Sequence, residues 1–74
     1  MGDELYEHET TQTLTREQAA EQLRRIADDL SRHNEVRVLH GDREVSIPVA
    51  KQVELEVELE VEQGKNELEI TLSW

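Results

Sequence analysis

The chain has no cysteine. It can therefore carry neither a disulfide framework nor a thiolate metal site, and cysteine usage says nothing about its redox compartment. It also has no apolar run near the ~20 residues a helix needs to span a bilayer. Its opening stretch, MGDELYEHET, lacks the basic-then-apolar layout of a signal peptide. A cytoplasmic location is the expectation. Lysine is scarce, with only Lys51 and Lys65 among the eight basic side chains. Bulk is scarce too. Seventy-four residues make one domain at most, and one core of that size supplies about 3–5 kcal/mol of net stability. Nearly every apolar side chain is then needed for packing. That leaves little room for a deep pocket and argues against an enzyme.

What the chain has in excess is carboxylate. Eighteen Asp and Glu against eight Lys and Arg give a formal net charge of −10. Such a charge disfavours direct binding to nucleic acid or to an anionic membrane and favours basic proteins or cations. An acidic, lysine-poor composition is also the pattern of proteins working in concentrated salt, where counterions screen the self-repulsion.

Periodicity organises the chain. Residues 4–13, ELYEHETTQT, alternate weakly and are rich in threonine, which predicts a first strand. Thr15-Arg16-Glu17-Gln18 fits a capping box, with Thr15 as N-cap and Gln18 reaching back. Ala19, Ala20, Leu23, Ile26, Ala27 and Leu30 then fall on one arc, predicting an amphipathic helix over 16–33. Glu21→Arg25 and Asp28→Arg32 are i,i+4 pairs in the favourable order. Arg32 and His33 suit the last turn, and Asn34 suits a left-handed cap.

Beyond Asn34 the period changes from 3.6 to 2. Strands are predicted over 35–40 and 43–47, joined at Gly41-Asp42, with Val38 opposite Val45 and Val36 opposite Ile47. Pro48 lacks a ladder donor and belongs at a strand end or edge, followed by a loop through Gln52. A longer hairpin is predicted over 53–62 and 67–74, turning at Gln63-Gly64-Lys65-Asn66. The expected register sets Val61 against Leu68, Leu59 against Ile70, Val57 against Leu72 and Leu55 against Trp74, with Glu62 facing Glu67 and Glu60 facing Glu69. The fold class is α+β in the order β-α-β-β-β-β. One antiparallel sheet, a four-strand meander plus the N-terminal strand, is expected with the helix covering its apolar face. Trp74 is expected at that core, and Tyr6 and Leu39 on the polar side. The whole chain, 1–74, reads as one domain.

The stretch VELEVELEVE raises the functional question. Glu54, Glu56, Glu58, Glu60 and Glu62 share one strand face, and Glu67 and Glu69 join them from the next strand. Two exposed charges about 6 Å apart repel by about 0.7 kcal/mol in water. In ~1 M salt the screening length is roughly 3 Å and most of this repulsion vanishes. The ladder is thus costly in dilute buffer and cheap in brine, and its charge discourages edge-to-edge aggregation. These seven carboxylates form the candidate partner-binding face. A first reading is a solvated surface tuned to high salt. A second is a dock for a basic protein, imitating nucleic-acid charge. A third is a weak divalent-cation site, although calcium wants six to eight converging oxygens and an open ladder offers few.

No catalytic or cofactor constellation accompanies them. His8, His33 and His40 share no metal-ligand spacing. Ser31, Ser46 and Ser73 have no evident His/Asp partners. The expectation is no catalytic residue, no cofactor and no metal ligand. A sheet edge could pair two copies as a homodimer.

TREQAAEQLRRIADDL, the alternating strands and ELEITLSW together resemble the Amphi-Trp domain family, from about Thr15 to Trp74. Ala19, Ala20, Leu23, Ile26, Ala27, Leu30 and Trp74 match its pattern, and all are positions already assigned to the core. The resemblance implies a free-standing domain of archaeal, halophilic type and implies no activity. Together these readings predict a non-enzymatic interaction or accessory module adapted to high salt.

Overall fold

The computed structural model describes residues 9–40 and 42–74. The helix begins where the capping box places it. Thr15 is extended, its hydroxyl accepts from the Gln18 N–H at 3.1 Å, and its own N–H donates to Gln18 Oε1 at 3.0 Å. Two donors that a helix start leaves unpaired are thereby satisfied. Helix α1 runs Arg16–Asp28 and widens into one π-helical turn, Asp29–His33. Asn34 ends it in the left-handed region, φ 56°, and donates its N–H to Asp29 O. Asparagine tolerates this conformation where branched side chains do not. The cap turns the chain directly into β1.

Strands β1 (Glu35–His40) and β2 (Arg43–Pro48) form an antiparallel hairpin, with Val36 opposite Ile47 and Val38 opposite Val45, as the alternation predicts. Of the turn expected between them, Gly41 lies outside the described residues. Pro48 closes β2 opposite Glu35, a position where its missing N–H costs no central ladder bond. Strands β3 (Glu54–Glu62) and β4 (Lys65–Ser73) form the second hairpin. Its loop is Gln63-Gly64, and Gly64 takes φ 85°. That is the positive value a type II turn demands at its second central residue.

Four expectations are corrected. First, the long hairpin is shifted by two residues: Val61 faces Asn66, Leu59 faces Leu68, Val57 faces Ile70 and Leu55 faces Leu72. Gly64 accommodates the positive φ within a two-residue loop, so β3 still ends at Glu62 while β4 begins at Lys65, two residues earlier than the bounds 53–62 and 67–74 imply. A shift of two preserves every side chain's face, because the strand period is two.

Second, the four strands make two separate two-stranded sheets instead of one meander. The polar groups at the end of β2 are engaged elsewhere. Val49 N–H donates to Asn34 O at 2.9 Å, and Pro48 O accepts from the Trp74 indole at 3.1 Å.

Third, the helix does not cover the long hairpin. Its last turn meets β1, and Leu23 and Ile26 remain about half exposed (50% and 47%). No described residue is fully buried. Leu30, Val36, Val38, Val45, Val49 and Leu72 are half-buried and mark where a core begins. Trp74, expected in the core, is 53% exposed, and Leu39 is exposed as expected.

Fourth, Glu21 pairs with Arg24 at 3.5 Å, not with Arg25, and Asp28 makes no ion pair with Arg32 among the described residues. The first half of the strand expected over 4–13 falls outside the described residues, as do Tyr6 and His8. Its described part, residues 9–13, is in no strand.

Candidate functional site

Alternation along β3 and β4 sends every carboxylate of the long hairpin to one face. Glu54, Glu56, Glu58, Glu60, Glu62, Glu67 and Glu69 are all exposed there. The two-residue register shift changes which of them meet. Glu58 lies opposite Glu69 and Glu60 opposite Glu67, while Glu62 faces Lys65, Glu56 faces Thr71 and Glu54 faces Ser73. Like charges directly opposite destabilise a ladder. None of the seven forms an ion pair among the described residues.

Glu60 lies beside Glu62 and opposite Glu67 on this face. A hydrogen bond with the Glu62 side chain holds its carboxyl above the ordinary carboxylate range, helped by slight desolvation and by the diagonal charge of Glu69. The face stores negative charge. Among the described residues no three His, Asp or Glu side chains are grouped so as to hold a metal ion.

The sequence did not single out a second place, where the helix end meets both hairpins. Leu30, Asn34, Val49, Ala50, Lys51, Val53 and Leu72 line an open groove of about 540 Å3. Beside it, Gln52, Val53, Glu54, Ser73 and Trp74 line another of about 460 Å3. Arg37 anchors the neighbouring turn by donating to Asp29 Oδ1 at 2.7 Å, with Glu35 at 3.8 Å. This hydrogen bond, the Asp29 charge and the nearby Glu44 and Glu35 charges raise the Arg37 pKa further. The signals for this site are the left-handed Asn34 and Pro48, both legible, but their partners Val49 and Trp74 are set by chain routing.

No helix among the described residues is long and apolar enough to cross a membrane. No curated protein and no solved structure matches the chain. A family model does match the chain. That model, the Amphi-Trp domain, matches residues 1–74, so the chain belongs to the Amphi-Trp domain family.

Proposed function

We propose that this protein is a non-enzymatic interaction or accessory module of the cytoplasm, adapted to high salt in a halophilic archaeal setting. One observation carries the reading: two directly opposed glutamate pairs, Glu58–Glu69 and Glu60–Glu67, sit on a face where, among the described residues, no carboxylate forms an ion pair, Lys65 lying opposite Glu62 without one. In dilute buffer that arrangement opposes folding, and in molar salt counterions screen it. A chain that keeps the arrangement is suited to brine. The carboxylates are solvated and lack the buried surroundings that raise a catalytic acid's pKa into the working range.

The test is thermal unfolding across a salt series. KCl and NaCl are expected to stabilise the protein alike, with no added response to micromolar Ca2+ or Mg2+. Salt-independent unfolding would remove the reading. A large shift at micromolar divalent ion would replace it with a cation site.

A further inference from the structure

Among the described residues, nothing covers the face opposite the glutamates. Leu55, Leu59, Val61, Leu68, Ile70 and Trp74 lie between 48% and 71% exposed, and the register sets the strand residues side by side on one ribbon surface. A soluble monomer rarely exposes a contiguous apolar patch larger than a few hundred Å2. The whole molecule shows the same excess. Its accessible surface is 7316 Å2, where a compact monomer of this mass would expose about 4,700 Å2. Its radius of gyration is 14.3 Å, against about 11 Å for a compact chain of this length.

We infer that this apolar face is the interface of a homodimer, packed face to face on the same surface of a second copy. The surplus of about 2,600 Å2 per copy is well above the ~800 Å2 that each partner contributes to a standard interface and lies at the upper end of what obligate homodimers bury, roughly 2,000–5,000 Å2 in total. Charge would seem to forbid the association at a net −10 per copy. The strand period removes the objection. Every glutamate of β3 and β4 points away from the apolar face, so two stacked ribbons, ~10 Å apart as in a sandwich, keep both carboxylate rows outside.

The same patch serves both copies, as a two-fold interface requires. A fold with no fully buried described residue needs its cover continuously. A second copy meets that need, because it is present whenever the chain is. Edge pairing of β3 or β4 would leave the apolar face exposed and solve nothing. This inference does not draw on the role proposed for the acidic face.

The test uses the intact wild-type chain in molar KCl. Light scattering from micromolar to millimolar concentration is expected to give twice the 8.6 kDa chain mass. Methyl NMR with a soluble paramagnetic agent is expected to show Leu59 and Leu68 protected. A monomer throughout that range overturns the proposal. So does a dimer whose Leu59 and Leu68 methyls remain accessible, which would be edge pairing. Leu59→Glu is expected to halve the mass and Glu58→Lys to leave it unchanged, and the opposite pattern also overturns it. If Leu59→Glu fails to fold, the wild-type mass and methyl accessibility still decide.

Discussion

The indole Nε1 of Trp74 donates to the carbonyl of Pro48 at 3.1 Å, across 26 residues of sequence. It ties the end of β2 to the residue just beyond β4, joining two hairpins that share no ladder. Trp74→Phe keeps an aromatic ring and loses the bond. The expected cost is about 0.5 kcal/mol, at the lower end of the usual range because a solvated carbonyl can return to water. Trp74→Ala also loses ring contact and is expected to cost roughly 2 kcal/mol, below the value for a fully buried aromatic. Urea unfolding followed by circular dichroism, at one fixed protein concentration, measures both. Equal stability of Trp74→Phe and wild type would show that the bond contributes nothing.

Arg37 and Asp29 join the π turn to β1 at 2.7 Å, and this contact responds to salt with the opposite sign from the carboxylate ladder. A double-mutant cycle of Arg37→Gln and Asp29→Asn is expected to show favourable coupling that shrinks as KCl rises. Glu58→Gln with Glu67→Gln is expected to stabilise the protein at low salt, with a gain that fades in brine. Salt responses of the same sign in the two experiments would contradict this assignment.

Glu60 makes a pH prediction. Its folded pKa is raised, first by the hydrogen bond with Glu62 and then by desolvation and Glu69. The folded state therefore holds this proton more tightly than the unfolded chain does. The stabilisation is fully present below the unfolded value of about 4.3. It is lost as pH rises through the raised folded value. Between those limits Glu60→Gln is expected to flatten the fall in stability. An unchanged slope would show that Glu60 does not titrate differently on folding.

Gly64 holds φ 85°, and a Cβ there would meet nothing within 4 Å. Any penalty on substitution is therefore backbone strain and not collision. Gly64→Ala is expected to cost about 1–2 kcal/mol, and Gly64→Asn less, because asparagine tolerates the left-handed region. If Gly64→Ala were neutral, the turn would have relaxed to another type.

At the helix start, Thr15→Ala removes the hydroxyl that accepts from Gln18 N–H. About 1 kcal/mol of stability is expected to go with it, read from the urea midpoint. Thr15→Ser is expected to keep most of it. Matching losses from both substitutions would mean that the cap contributes through the methyl group instead.

Much of this protein was legible because its signals are local. The capping box, the left-handed Asn34, the Val36/Ile47 and Val38/Val45 pairs and the single-faced glutamate row each depend on residues a few positions apart or on a repeat of two. The seven carboxylates share one exposed face, as the alternation predicts, while the pairs that oppose each other were misassigned. The sequence QGKN allowed more than one turn, and pairings two residues apart satisfy the alternation equally, so periodicity alone could not choose between them.

By itself, then, the sequence determined where the helix and the strands of the two hairpins lie and which side of each is apolar, since backbone preference and patterning act between near neighbours. Only the tertiary structure decided that Gly64 sets a two-residue loop, that the strands part into two hairpins, that Trp74 reaches Pro48, and that the helix leaves the long ribbon uncovered. Those outcomes rest on how the chain is routed through Asn34 and residues 49–53, where contacts form between groups far apart in sequence and no local pattern records them.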